Sequence, residues 1–214
     1  MHPSKLFNLD SFKHKKLFEG IENVWEALQN LHSYLLSLKL GKMDSKPEEG
    51  AYLVNPELIS IGKGTVIEPG AYIKGPCVIG DNCTIRQGAY IRGDVLVGDD
   101  CVVGHTTELK HSILLNDAKA AHFAFIGDSI VGSQTNLGAG VKCANLRLDG
   151  KPLVLTIDGK KIETGMRKLG ALIGDGCQVG CNSVLNPGTI LGKGVLVYPL
   201  KSTSGYIHEN TTVS

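Results

Sequence analysis

Lys74, Arg92 and Lys110 are evenly spaced, three hexads apart, and each directly follows an aliphatic residue, Ile73, Ile91 or Leu109. If one turn of the chain takes three hexads, the three basic side chains stack above one another. Neighbouring strands lie about 4.8 Å apart, so the Arg92 guanidinium and the Lys110 ammonium can converge on one anion. Arg grips a phosphate through paired donors, and Lys adds a point charge. A solvated basic face explains the trio equally well. His122 follows Lys110 two hexads on, in Ala120-Ala121-His122-Phe123-Ala124-Phe125. An imidazole titrating near neutrality suits a general base, although a lone His among apolar neighbours also reads as a packed side chain.

The element that would position these residues is written in a six-residue repeat. An aliphatic recurs at Ile61, Ile67, Ile73, Ile79, Ile85, Ile91, Val97, Val103 and Leu109. The pattern resumes at Val131 and Leu137, and again from Ile173 through Val179, Leu185 and Leu191 to Val197. This period fits neither an amphipathic helix nor a two-sided strand. It fits a short strand plus a corner, three of which close a triangular coil with the aliphatics inside. The fifth position of each hexad is small or β-branched (Thr65, Ala71, Cys77, Cys83, Ala89, Val95, Cys101, Thr107, Ile113). That places Cys77, Cys83, Cys101 and Cys177 inside as small buried hydrophobes. No Cys pair has a zinc-type spacing.

Residues 12–40 carry apolar positions at spacings of three and four, followed by Gly41, and read as an amphipathic helix or helix pair. Such an element would cap the end of the stack or pack in an oligomer. Residues 41–50 read as a linker, completing an N-terminal helical segment over 1–50. The solenoid is expected over 51–200, with an insert at 143–172, and 201–214 as a tail. Within the insert, Leu153–Ile157, Asp158-Gly159 and Lys160–Glu163 read as a projecting β-hairpin.

With 22 Lys plus Arg against 21 Asp plus Glu, the chain lacks the basic excess of a nucleic-acid or membrane-surface binder. No apolar run is long enough to span a bilayer, and no secretory leader is visible. A cytoplasmic protein with neither membrane nor nucleic acid as partner is expected.

Several stretches together carry a family resemblance: Glu108-Leu109-Lys110, His122, Ile126-Gly127-Asp128-Ser129, Asn136-Leu137-Gly138-Ala139-Gly140 and Ala144-Asn145-Leu146-Arg147. Over roughly residues 50–200 the chain resembles the hexapeptide-repeat acetyltransferase domain of two enzyme groups. One is the bacterial N-acetylglucosamine-1-phosphate uridyltransferase/glucosamine-1-phosphate acetyltransferase. The closer is the archaeal sugar-1-phosphate nucleotidylyltransferase/acetyltransferase, which also shares the stretches Thr164–Gly170 and Ile173–Gly176.

The resemblance implies a mainly β fold, a single-stranded left-handed parallel β-helix. It implies acetyl-CoA-dependent N-acetylation of an amino sugar 1-phosphate, in nucleotide-sugar biosynthesis of the UDP-N-acetylglucosamine type. Arg92 and Lys110 would hold the phosphate, His122 would be the base, and Asn136 would position the sugar. Asn145 would orient substrate or thioester. Ala139 would recognise acetyl-CoA, as would Cys181, which stands where the bacterial enzymes have Ser. Lys151 would bring a positive charge from a neighbouring subunit, since enzymes of this fold are typically homotrimers with sites between subunits. The chemistry requires no metal.

Phe125 and Leu146 replace two tyrosines of the bacterial family. No Gly-rich phosphate loop precedes the repeat, so nucleotidyl transfer is not expected of these residues, and the basic C-terminal tail that helps bind CoA in the relatives has no counterpart. Two other function classes fit the same solenoid: a non-catalytic binding or assembly module, and an acyltransferase acting on a nucleotide-linked sugar. A gamma-class carbonic anhydrase site is disfavoured, because His105 and His111 are one hexad apart and fall on adjacent faces.

Overall fold

The computed structural model describes all 214 residues. The hexads form three parallel sheets of eight strands each, wound as a three-sided β-helix. Face I begins with Tyr52–Val54 and Tyr72–Lys74 and runs to Ser202–Thr203. Face II runs from Ile59–Ile61 to Tyr206–Ile207, and face III from Val66–Ile67 to Thr212–Val213. The chain visits I, II and III in turn on each circuit. A two-stranded antiparallel hairpin, Val154–Ile157 with Lys160–Glu163, stands outside them.

The inward aliphatics form one continuous buried column set from Ile59 to Val197. The small fifth-position residues line its corners, and their hydroxyls and thiols donate to carbonyls of the next coil. Thr65 Oγ1 reaches Gly80 O at 2.7 Å, Cys83 Sγ reaches Gly98 O at 3.0 Å, and Cys101 Sγ reaches Leu115 O at 3.0 Å. Burial pushes the Cys143 thiol up to about 12 and the Cys177 thiol up to about 11, so both stay protonated and inert. Gly80 follows the face II strand Cys77–Ile79 in ordinary backbone geometry, but a Cβ there would lie 2.5 Å from Gly98 O. Close approach of successive coils, not left-handed backbone, demands glycine at that position.

The coil of three hexads is not uniform. Ile91 pairs with Leu109, three full hexads on, but Leu109 pairs with Ile126 and Val103 with Ala120, each one position short of that. Two hexads have lost a residue, between Leu109 and Leu114 and between Ile126 and Val131. This explains why the sequence pattern breaks after Leu109 and resumes at Val131. It also corrects Ile113, which leaves the interior to Ser112 and faces outward among apolar residues.

The N-terminal segment neither caps an end nor forms one long helix. Only Glu26–Ser37 is α-helical (α1), with a 3-10 turn at Lys15–Phe18. Gly20 at φ +75° separates them. In the turn leading into α1, the backbone and side-chain N–H groups of Asn23 both donate to Oε1 of Glu26, the first residue of the helix, at 3.0 Å. Ala27, Leu28, Leu31 and Leu35 then fall on one buried face. That face lies along face II, whose outward positions Val78, Leu96, Ile113, Ile130, Leu172 and Ile190 are apolar. The segment is also pinned at the II/III edge: Lys13 Nζ to Asp81 and Asp99, Asn116 Nδ2 to Ser11 O, and Asn8 N to Asp175.

The hairpin's Leu155 and Ile157 enter the same cluster, and Gln29 Nε2 donates to Thr164 O. Its apolar side is therefore spent on its own chain. Residues 41–50 are not a free linker, since Asp44 N and Glu48 N donate to Ile61 O and Ile67 O. They lie along the open end as an incomplete coil. Strands continue through Thr212–Val213, so the β-helix extends over the stretch expected to be a tail. No helix is long and apolar enough to cross a membrane.

Candidate active site

Strand register sorts the expected site residues into two columns on opposite edges of face I. At the I/II edge, Lys74, Arg92 and Lys110 stack as the spacing predicts, and Lys110 pairs with Gly127 on the next strand. One residue further round, at the corner itself, His111, Asp128 and Asn145 stack in successive coils. Gly93 occupies this position one coil below, with φ +94°, and His111 and Asp128 share its left-handed backbone at φ +46° and +48°.

The two cations are already paired. Arg92 Nη1 contacts Glu108 Oε1 at 2.6 Å, and its guanidinium lies 5.8 Å from the centre of the Tyr90 ring. The Glu108 hydrogen bond raises the Arg92 pKa further. Lys110 Nζ contacts Asp128 Oδ2 at 3.2 Å. Asp128 is buried, and it also accepts from His111 Nδ1 at 2.9 Å and from Asn145 Nδ2 at 2.5 Å. Burial alone would push its carboxyl up, but the donors His111, Asn145 and Lys110 outweigh burial and hold it below the usual range. Gly127 keeps the space between these groups open: a Cβ there would lie 2.7 Å from Asn145 Nδ2 and 2.8 Å from Phe125 Cζ.

The other column lies at the III/I edge. His122 ends the strand Lys119–His122 and pairs with His105 in the coil below. Above it, Gly140 N donates to His122 O at 3.0 Å, and Asn182 N to Ala139 O at 2.8 Å. Extending the register Ala120–Leu137–Val179 by two residues aligns His122, Ala139 and Cys181. Both His122 and Cys181 are exposed. The Gly138 and Gly140 N–H groups are spent on Val179 O and His122 O, whereas the Ala139 N–H has no partner within the chain. Asn136 faces outward on face III beside Lys119, and Lys151 is exposed in the loop that follows Asn145.

The chain thus joins Arg92, Lys110 and Asn145 at one edge, and His122, Ala139 and Cys181 at the other. It does not join the two groups, which are separated by the width of face I. Two participants escaped the sequence reading. Asp128 lies in the stretch Ile126-Gly127-Asp128-Ser129, and His111 directly follows Lys110, but residue type and hexad spacing assign neither a part in the anion site. The signal for Asp128 was a lone acid one coil from Lys110.

Comparison with known proteins gives one family model and several relatives. The model of the GMPPB C-terminal domain matches residues 73–169, which hold Arg92, Lys110, His122, Asn136 and Asn145. A bifunctional sugar-1-phosphate nucleotidylyltransferase/acetyltransferase of Sulfurisphaera tokodaii is 39% identical over 88 residues, 41% of this chain and 22% of that protein. The uncharacterized acetyltransferase YaiX of Escherichia coli K12 is 36% identical over 141 residues, 66% of this chain and 61% of its own length. Among solved structures, the UDP-N-acetylglucosamine acyltransferase of Francisella novicida aligns at 16% identity and a TM-score of 0.44, covering 78% of this chain and 66% of that one. The match therefore spans about a fifth of the first curated relative. The chain is similar, over about two fifths of its length, to the archaeal enzyme group its motifs resemble.

Proposed function

We propose that the chain is an acyltransferase of the hexapeptide β-helix type, an acetyl-CoA-dependent N-acetyltransferase. Its acceptor is an amino sugar 1-phosphate, glucosamine 1-phosphate or galactosamine 1-phosphate. The carrying observation is the in-register stack of Arg92 and Lys110 on an uncovered face, within the segment that the GMPPB C-terminal domain model matches. Arg92 and Lys110 hold the phosphate, displacing Glu108 from a half-exposed ion pair that costs little to break. Fixing this remote group positions the sugar amine.

His122 takes the proton from the ammonium, so that the amine can attack the thioester carbonyl; as the C–N bond forms and the C–S bond breaks, CoA leaves as the thiolate and takes up the second proton that the nitrogen loses. The unpartnered Ala139 N–H, next to His122 in register, offers a donor to the oxygen as charge develops there. Asn136 and Cys181 flank this edge, where sugar and acetyl-CoA meet.

Because the two columns lie on opposite edges of one face, the complete site needs a second copy whose His122 edge meets this chain's Arg92 edge. A cytoplasmic homotrimer, a closed ring of three identical interfaces, supplies that geometry, and Lys151 then reaches the neighbouring site.

Thiol release from acetyl-CoA, measured against a panel of amino sugars and their 1-phosphates, tests the reading. Activity is expected with a phosphorylated amino sugar, and His122→Ala should lower it by about 10²–10⁴-fold. No release with any amino sugar phosphate would overturn the reading in favour of an assembly module. Mixing inactive His122→Ala and Arg92→Ala proteins after dissociation should restore part of the activity, because some interfaces then pair two intact edges.

A further inference from the structure

We propose that Asp128 is a positioning residue of the anion site, orienting the Lys110 ammonium and the Asn145 carboxamide, and that His111 ties this arrangement to the N-terminal helix. The inference rests on the acetyltransferase reading for its kinetic consequence, but its geometry stands apart from it. Asp128 is the sole acceptor shared by Lys110 Nζ, Asn145 Nδ2 and His111 Nδ1. The far side of the His111 ring bonds Leu28 O, in α1, at 3.0 Å. Both ring partners, Asp128 Oδ1 and Leu28 O, are acceptors, and the ring lies between them as the link from the anion site to α1.

The chain accepts a left-handed backbone at His111, which lacks the freedom of Gly93 one coil below. Contacts that link Leu28, His111, Asp128 and Asn145 fix a lysine and an amide that would otherwise sample several rotamers. Helix α1, remote from the phosphate in sequence, thereby sets the direction of the group that holds it.

A simple counter-charge and a positioning residue predict opposite results. If Asp128 only repels phosphate, Asp128→Asn lowers the KM for the amino sugar phosphate. If it positions, three donors face an amide, Lys110 and Asn145 turn away, and this KM rises at least tenfold with the KM for acetyl-CoA unchanged. His111→Ala should shift it the same way by a smaller factor, and His111→Gln, which keeps a donor for Asp128, should recover part of the loss.

The Asn145 side-chain amide resonances, assigned by their loss in Asn145→Asp, supply a readout independent of turnover. They should move toward solvent-like positions in His111→Ala. Resonances unmoved in His111→Ala, or a KM that falls or stays constant in Asp128→Asn, would overturn the inference. A wild type with no activity would sink the acetyltransferase reading alone, and the resonances would still decide this one.

Discussion

Faces I and II are built from the same inward ladder and differ only in what points outward. On face II, Val78, Leu96, Ile113, Ile130, Leu172 and Ile190 face out, and α1 and the hairpin cover them. On face I the outward row runs Tyr52, Tyr72, Tyr90, Glu108, Phe125 and Lys142, beside Lys74, Arg92 and Lys110, and no element of the chain covers it. A stack that closes on itself leaves its exterior free to be spent in two ways. Apolar rows recruit the chain's own segments, whereas a row mixing aromatics and charge stays uncovered by them.

Substitutions on the two faces should therefore separate sharply. Leu31, fully buried against face II, should cost about 2–5 kcal/mol when changed to Ala, read as a lower urea midpoint. Acid should expose the next difference. The folded carboxyl of Asp128 lies below its unfolded value of about 3.9, so its contribution to stability is complete above that pH. The contribution is lost as pH falls through the folded value. Asp128→Asn should accordingly flatten the fall in urea midpoint below about pH 4. The smallest effect belongs to Tyr52, 62% exposed on face I: Tyr52→Ser should stay within about 0.5 kcal/mol. A large loss there would mean that face I is packed after all.

The inner ladder was legible as far as the hexads kept step, because a six-residue period in aliphatics has one economical closure. The shortened coils were not, since a deleted residue at a corner leaves the geometry intact while shifting every later position. The outward row of face II was visible in sequence too, as Val78, Leu96 and Ile113, but the period drew attention to the inward set. At the site, Arg92 and Lys110 were found because their stacking depends on spacing alone. The bonds joining Leu28, His111, Asp128 and Asn145 depend on where α1 docks, and no period in the repeat encodes that. The separation of His122 from Arg92 across face I likewise required knowing where each corner falls.

The strap formed by the chain ahead of Gly41 has a consequence for how the stack comes apart. Repeat arrays touch only nearest neighbours and so tend to fray from their ends one unit at a time. Here Lys13 bonds Asp81 and Asp99 while Asn8 bonds Asp175, in coils far along the axis. Like a tie-rod through a column of drums, it obliges distant coils to let go together, turning gradual unzipping into a single concerted melt.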